Sequence, residues 1–402
     1  MLNNHTEMKV ALVCPASLPA TQFGGIMFLS VDIARELAKN GHHVVIFTTD
    51  LDFANNANTF NKNLPRTESI HGFTINRTHV WFSYQLFYVN LGMYFEMKKE
   101  KHDIIHTIGV RSFQSFIAAL ISKKHKIPLI ISDQGGLTTH PDLQKNNLIK
   151  KIMYKIQSPM INFIVNQAAR IIVPNEYEKE IFSQYTTGAK IAVVRNGISL
   201  DEIYQSKIDF KEKYGIKNDF VLFVGRFNKV KGIDILLQAW TSIKDNVETQ
   251  NTKLVIMGVN FGFETEMQKM IEELKIKDSV IVIKKPPRED VLAAYSACQF
   301  LVLPSRWELS PLTPLEGFAF KKPTISTTAH GIPHTIKDGE NAILVEPENH
   351  IQLAEAILKL LRDEKKRIEY GNAGYNLVQQ VCNSKSMAEN TLKIYQQVLA
   401  DS

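Results

Sequence analysis

One segment of this chain places two cationic side chains between a predicted strand and a predicted helix. It is Gly225-Arg-Phe-Asn-Lys-Val-Lys-Gly232, which follows the apolar run 219–224 and precedes the helical pattern 232–240. A helix N-terminus leaves free N–H groups and the positive end of the macrodipole at such a loop, and both attract an anion. Arg226 adds a planar guanidinium fork and Lys231 a compact ammonium. The segment predicts a phosphate-binding loop, with a solvated basic turn as the alternative.

A second segment carries two carboxylates separated by seven residues. It is Glu308-Leu-Ser-Pro-Leu-Thr-Pro-Leu-Glu316, after the apolar strand 300–304. Pro311 and Pro314 prevent one helix from spanning both acids, because proline lacks the N–H that a helix interior needs. We therefore predict Glu308 in the loop and Glu316 in the first turn of the next helix.

The start of that predicted helix offers two interpretations of Glu316. Thr313 is the predicted N-cap, and Glu316 would complete a Thr-x-x-Glu capping box. Alternatively, the Glu316 carboxylate turns toward a ligand. In both cases the free amides of Leu312 and Thr313 form a second potential anion site.

Together, the two segments resemble the retaining glycosyltransferases of family 4, which have the two-domain GT-B fold. Four more segments resemble motifs of that family and occur in the same order along nearly the whole chain. They are Gly24-Gly25, Arg195-Asn-Gly-Ile198, Gly331-Ile-Pro333 and Asp338-Gly-Glu-Asn-Ala-Ile-Leu-Val345.

The resemblance implies transfer of a sugar from a nucleotide-sugar donor to a glycan, glycolipid or small-molecule acceptor, with retention of anomeric configuration. It implies no obligate metal and no cofactor besides this co-substrate. Glu316 would accept hydrogen bonds from the ribose, and Glu308 would face the donor sugar and the reacting face. The residues implied to bind the donor are Gly24, Gly25, Arg226, Lys231, Leu312, Thr313 and Glu316.

The chain departs from the family at the donor sugar. Many members have a histidine after the fourth strand of the first domain, where this chain has Gln134. A glutamine can donate a hydrogen bond but does not titrate near neutral pH. His140, six residues on, could replace that histidine or be an ordinary loop residue. The family's Glu-Gly-Phe-Gly is Glu308-Leu-Ser-Pro311 here, and His334 stands where the family has Glu.

Alternating strands and helices predict parallel sheets built from βαβ units, and hence an α/β protein with two doubly wound, Rossmann-like domains. We expect an N-terminal acceptor domain at 1–200, a polar linker at about 200–218, and a donor domain at 215–384. The last helix, 386–399 in a segment 385–402, would cross back to complete the first domain. The predicted strands are 9–13, 43–47, 103–107, 128–131, 170–173, 190–194, 219–224, 253–257, 279–283, 299–303, 323–326 and 342–345.

The composition indicates an ordinary globular protein of 402 residues, with 44% hydrophobic and 22% charged residues. Three cysteines without metal-ligand spacing favour a reducing compartment. No apolar run predicts a membrane span or a signal peptide, so we expect a cytoplasmic protein. The net charge of +6 fits an anionic substrate or a membrane surface better than nucleic acid, for which no motif is found.

Three weaker signals remain open. Asp50-Leu-Asp52 matches the metal-binding D-x-D of another glycosyltransferase fold, but we interpret it as the polar start of a loop. The basic cluster 98–101 beside the apolar segment 87–95 could contact a membrane. The helix candidate 147–168 has an apolar stripe flanked by lysines, for which core packing is favoured over lipid contact.

Two other function classes compete with the transferase. A nucleotide-sugar epimerase or hydrolase of the same fold would use no glycosyl acceptor. A non-catalytic nucleotide-sugar binding protein would retain the fold only. The presence of both cations and both carboxylates disfavours the latter.

Overall fold

The computed structural model describes residues 7–53, 56, 58–84, 86–134, 137, 148–203 and 207–401, with the backbone alone for 148–154 and 156. The chain divides into two compact units. Residues 1–196 and 384–402 form the first unit, and residues 197–383 form the second. Each unit holds a sheet of mainly parallel strands covered by helices, so the predicted α/β class with two doubly wound domains is confirmed.

The main sheet of the first unit has the strand order β10-β9-β8-β7-β1-β2-β4-β3, in which only β3 and β4 pair antiparallel. Its strands are β1 Lys9–Val13, β2 His43–Thr49, β3 Thr67–Ile70, β4 Phe73–Thr78, β7 Ile104–Ile108, β8 Leu129–Ser132, β9 Ala168–Val173 and β10 Ile191–Val193. A separate antiparallel ribbon consists of β5 Phe82–Tyr84 and β6 Phe87–Val89. The helices are Gly25–Lys39, Gly92–Met97, Phe113–His125, Leu148–Gln167, Glu176–Phe182 and Ser384–Ala400, with 3-10 turns at Thr21–Phe23 and Gly188–Lys190.

The two hairpins of this unit, β3–β4 and β5–β6, were not predicted from the sequence. His71 and Gly72, which join β3 to β4, both have positive φ, as a tight hairpin turn of type I′ requires. Histidine is an uncommon residue at such a position, so the dipeptide gives little turn signal.

The sheet of the second unit is parallel throughout, in the order β13-β12-β11-β14-β15-β16. Its strands are β11 Asp219–Phe227, β12 Thr252–Asn260, β13 Val280–Lys284, β14 Leu301–Leu303, β15 Thr324–Thr327 and β16 Ala342–Val345. The predicted linker 200–218 contains two helices, Leu200–Ile203 and Phe210–Lys213. The remaining helices are Ile233–Ile243, Val247–Gln250, Glu264–Glu273, Arg288–Ala297, Leu312–Ala319, Ile332–Thr335, His350–Arg362 and Glu364–Gln380, with a 3-10 turn at Lys229–Lys231.

Strand β11 shows why the strands of this sheet are uninterrupted apolar runs in the sequence. Phe220 and Leu222 point into one core, which contains residues of helix Arg288–Ala297. Val221 and Phe223 point into the other core, with residues of helix Ile233–Ile243. Because side chains alternate across a strand, a strand buried on both faces needs apolar residues at every position. β11 pairs in parallel with β14, so the carboxyl ends of these strands lie at the same edge and bring both sequence motifs there.

The C-terminal helix Ser384–Ala400 belongs to the first unit, as predicted. It packs on helix Gly25–Lys39. The Tyr395 hydroxyl lies 2.6 Å from Nδ1 of His106, and both side chains are completely buried. The helix therefore completes the core of the first unit.

Candidate active site

The two predicted cations lie at the end of β11 and in the turn that follows it. β11 extends to Phe227, so Arg226 lies at the carboxyl end of the strand and not in the loop. Its guanidinium lies 4.6 Å from the centre of the Phe261 ring, a cation–π distance. Lys231 ends a 3-10 turn whose cap is Asn228, and the Asn228 side chain accepts from the Lys231 amide at 3.1 Å.

Gly232 joins this turn to helix Ile233–Ile243 at a point where no side chain fits. Its φ is +68°, and a Cβ at this position would lie 1.9 Å from the carbonyl oxygen of Pro304. The close approach holds the turn against the segment that follows β14. The glycine that ends the first sequence motif is therefore a packing requirement.

Arg306 binds the same turn and the helix that follows it through hydrogen bonds of its guanidinium. Its two terminal nitrogens donate to both carboxylate oxygens of Asp234 at 2.7 and 2.8 Å, and one of them also donates to the Lys229 carbonyl at 2.5 Å. Its Nε donates to Glu348 at 2.8 Å. Arg306 was not predicted as a site residue, because a lone arginine beside Trp307 carries no motif.

The side chain of Lys231 contacts the carboxylate of Glu308, and both side chains are largely buried. The Ser305 hydroxyl lies 3.4 Å from the same carboxylate. The Gly331 amide donates to the Glu308 carbonyl at 3.0 Å. A Cβ on Gly331 would lie 1.8 Å from the carbonyl oxygen of Leu309, so the Gly331-Ile-Pro segment packs directly on the backbone of this loop.

Glu316 does not form the predicted capping box. The helix begins at Leu312 with Pro311 as its N-cap, and no side chain caps it. The Glu316 carboxylate instead accepts from Arg288 at 2.6 Å and from the Tyr295 hydroxyl at 2.7 Å. Pro311 at the N-cap has no backbone N–H for a capping box, and a guanidinium and a buried hydroxyl of the neighbouring helix Arg288–Ala297 bind the carboxylate instead.

These contacts fix the charges around Glu316. Burial disfavours the charge on Arg288, but the Glu316 carboxylate more than offsets this and raises the pKa of the guanidinium. Burial and the nearby carboxylate raise the pKa of Tyr295 well above its usual value. Tyr295 therefore stays a neutral donor that holds Glu316 in place.

The amides of Leu312 and Thr313 lie in the first turn of helix Leu312–Ala319, where no intrahelical acceptor exists for them. The helix start follows the Glu308 loop by three residues. Two further backbone donors are thus placed after the same strand edge as Lys231.

In the first unit, Gly24 has a φ of +92° and joins the 3-10 turn Thr21–Phe23 to helix Gly25–Lys39. Gln134 forms a reciprocal pair with Asn196, in which each amide donates to the other at 3.1 and 2.8 Å. His140 lies outside the described residues. The pair with Asn196 shows that Gln134 is held by the Asn-Gly segment near the end of this unit.

His106 lies within the core of the first unit. It contacts the Ser132 hydroxyl through Nε2 at 2.8 Å and Tyr395 through Nδ1. Burial lowers its pKa to about 3, so the imidazole is neutral.

No group of three or more metal-ligating side chains occurs among the residues that the structure describes. In the D-x-D segment, Asp50 is bonded through both oxygens, to Nδ1 of His79 at 2.5 Å and to the Val80 amide at 3.1 Å. Among the helices that the structure describes, none combines the length and the hydrophobicity of a membrane span.

Two family models match the chain in succession. The model described as Glycosyltransferase Family 4 matches residues 23–202, and the model described as Glycosyl transferases group 1 matches residues 205–377. The chain belongs to the group 1 glycosyltransferases. This family uses nucleotide-sugar donors, and the matched ranges contain every segment from which the resemblance was inferred.

Characterised and uncharacterised glycosyltransferases are similar to this one over nearly their whole length. An uncharacterised glycosyltransferase of Methanocaldococcus jannaschii is 25% identical, with 96% of this chain and 98% of the relative covered. The N-acetyl-alpha-D-glucosaminyl L-malate synthase of Bacillus anthracis is also 25% identical, with 98% of each chain covered.

Solved structures confirm the GT-B fold of this glycosyltransferase. Sucrose-phosphate synthase from Thermosynechococcus elongatus superposes with a TM-score of 0.76 at 20% identity, covering 98% of this chain and all of the other. The Anabaena protein HepE, crystallised with UDP-glucose, superposes with a TM-score of 0.76 at 17% identity, covering 97% of this chain and all of the other.

Proposed function

We propose that this protein transfers a sugar from a nucleotide-sugar donor to a carbohydrate or lipid-linked acceptor, with retention of anomeric configuration and without a metal ion. The observation that carries the proposal is the contact between Lys231 and Glu308 at one edge of the second sheet. In this proposal the cation serves the leaving group and the neighbouring carboxylate serves the sugar, at the edge where ligands of doubly wound sheets bind.

The cations act on the leaving group. Breaking a nucleotide-sugar bond builds negative charge on the diphosphate, and fixed positive charge stabilises the transition state more than the bound substrate. Lys231 and Arg226 supply that charge, and the amides of Leu312 and Thr313 add two donors. With these groups in place, Mg²⁺ is not needed to neutralise the diphosphate.

The carboxylates act on the nucleoside and on the sugar. Glu316 is held by Arg288 and Tyr295, and each of its oxygens retains a lone pair for a ribose hydroxyl. Glu308 faces the hydroxyls of the donor sugar and the charge that develops at the reacting carbon. Retention then follows from departure and attack on the same face. A cytoplasmic location is supported by three buried free thiols.

The test is incubation of the purified protein with a panel of radiolabelled nucleotide sugars, with and without candidate acceptors. Slow release of nucleoside diphosphate without acceptor, accelerated by one acceptor, supports the proposal. NMR of the product then gives the anomeric configuration. Formation of a free epimer would instead show an epimerase, and binding without turnover a non-catalytic protein. Lys231→Ala is the control for activity from a contaminant.

A further inference from the structure

Exposed hydrophobic side chains are concentrated in one short stretch of the first unit. Of the twelve large hydrophobic residues that are exposed in the described part of the chain, six lie between 81 and 95. They are Trp81 (75% exposed), Phe82 (59%), Tyr84 (46%), Leu86 (41%), Leu91 (54%) and Phe95 (65%). Single exposed apolar residues are ordinary, but a contiguous group of this size indicates a contact surface.

The register of the β5–β6 ribbon shows that one of its faces is apolar and points outward. Phe82 pairs with Val89 and Tyr84 with Phe87, so these four side chains share a face. The opposite face carries Ser83 and Tyr88, and Tyr88 is completely buried. This buried face anchors the ribbon, because the Tyr88 ring lies 5.4 Å from the Phe60 ring, and the Tyr88 carbonyl also accepts from Gln114 at 2.8 Å.

The helix Gly92–Met97 continues this surface and adds positive charge. Leu91, Phe95 and Lys98 lie on one face at spacings of four and three residues, while Met93 and Met97 are buried. The Tyr94 ring, 5.6 Å from the Phe95 ring, links that face to two lysines. The Lys98 ammonium lies 5.3 Å from the ring, and the Lys124 ammonium lies 3.2 Å from the Tyr94 hydroxyl.

Acidic side chains contribute little to this surface. The segment 81–101 contains two, Glu96 and Glu100, and the segment 113–126 contains none. Glu96 points inward and is paired with Arg66 and Lys99. The exposed lysines of these two segments are Lys98, Lys99, Lys101, Lys123, Lys124 and Lys126.

We propose that this surface, consisting of the six apolar residues with Lys98 and Lys124, docks the protein on a bilayer that contains anionic phospholipids. Aromatic side chains favour the interface between headgroups and acyl chains, and adjacent lysines are attracted to anionic headgroups. A symmetric second copy of the chain would bring like charges together, which disfavours self-association through this surface. The inference does not depend on the proposed catalytic function.

The first experiment is sedimentation of the full-length protein with vesicles of phosphatidylcholine, with or without about a third phosphatidylglycerol. We expect binding to the anionic vesicles that weakens with added salt, because surface charges are screened. Lys98→Gln and Lys124→Gln should each lower the partition coefficient about fivefold, which corresponds to about 1 kcal/mol per lysine. Lys277→Gln, an exposed lysine of the second unit, should leave it unchanged.

The apolar residues are tested by the double variant Phe82→Ser/Phe95→Ser, with Ile351→Ser/Ile368→Ser as the control. Both control residues are exposed on the second unit. Loss of binding in the first variant alone supports the docking surface. Unchanged binding, equal losses in both, or no binding by the wild type overturns it. Circular dichroism and the thermal midpoint verify that each variant is folded.

Trp81 supplies a second readout. Its emission should shift to shorter wavelength on addition of anionic vesicles, a change that Trp81→Phe abolishes, since Trp240 is completely buried and Trp307, the third tryptophan, belongs to the second unit. Sedimentation velocity tests the other possible occupant of this surface, which is a second copy of the chain. A wild-type dimer that Phe95→Ser dissociates would show that a second copy, and not lipid, covers this surface.

Discussion

Lys231 and Glu308 contact one another across 77 residues of sequence, and each comes from a different motif. In the proposed mechanism the ammonium binds the diphosphate and the carboxylate faces the sugar. These two parts of a donor are covalently joined, so one contact marks where the bond between them would lie. The pair also compensates its own charge within a largely buried position.

Removing the Lys231 ammonium should affect turnover far more than removing its neighbour on the same turn. We expect Lys231→Ala and Arg226→Ala each to lower kcat about 10²- to 10³-fold, the usual cost of one lost transition-state contact. Lys229→Ala is the matched control, because its ammonium is exposed and lies 3.4 Å from Glu266. Steady-state kinetics of the three variants check this. Near-wild-type values for both Lys231→Ala and Arg226→Ala would contradict the diphosphate assignment.

The two glutamates should separate binding from turnover. Glu316→Gln removes the charge that pairs with Arg288, so we expect a lower thermal midpoint together with a several-fold to hundredfold weaker nucleotide affinity, from about 1.5–3 kcal/mol. Glu308→Gln should bind a nucleoside diphosphate almost normally and lose mainly kcat. Calorimetric titration with UDP, GDP and ADP measures the nucleotide affinity of both variants, and steady-state kinetics measures their kcat. The reverse pattern would exchange the roles, and no change in either variant would remove the carboxylate pair from the mechanism.

Arg306 should position Lys231 without touching substrate. Arg306→Lys cannot reproduce the two-pronged contact with Asp234, since an ammonium is a point charge. A displaced turn should lower kcat about ten- to a hundredfold with little change in KM. Arg362→Lys, which replaces an exposed arginine 2.7 Å from Glu248, is the control. Equal kinetics for both variants would show that Arg306 only stabilises the fold.

Most of the parallel strands, and the strand ends that carry the two motifs, could be predicted from sequence because apolar runs and punctuating glycines are local signals; the order of the strands in each sheet was not predicted. The partners of the site residues could not. Arg288, Tyr295 and Arg306 reach the site by tertiary packing from other segments, and none of them stands in a recognisable pattern. The capping-box prediction for Glu316 was wrong for this reason: the pattern was present, but donors from another helix bind the carboxylate instead.

Chelation should leave activity intact. The fixed cations replace a metal in the proposed mechanism, and Asp50 is already bonded to His79 and to the Val80 amide. Turnover assayed in excess EDTA should therefore equal that of the untreated enzyme. A complete loss that Mg²⁺ or Mn²⁺ restores would favour a metal-assisted mechanism.

His106 should make the first unit sensitive to acid. Its folded pKa of about 3 lies below the value of about 6.5 in an unfolded chain, so the unfolded state takes up a proton first as the pH falls. The contribution of the neutral His106 to the free energy of unfolding is complete above about pH 6.5. It is lost between about pH 6.5 and 3, at up to ~1.4 kcal/mol per pH unit. Calorimetry at pH 7 and 4.5 should show a steeper fall in Tm for the wild type than for His106→Gln. Replacing exposed His125 should not change the slope, and parallel curves for His106→Gln would contradict the prediction.

The C-terminal helix Ser384–Ala400 makes the first unit discontinuous in sequence. Tyr395 packs on His106 across 289 residues of chain, so the core of this unit is incomplete until residues 384–400 leave the ribosome. The second unit is encoded without interruption and has all of its own residues available earlier. During synthesis the first unit therefore begins before the second but can be completed only after it, and a chain that stops short of Ser384 exposes the apolar face of Gly25–Lys39.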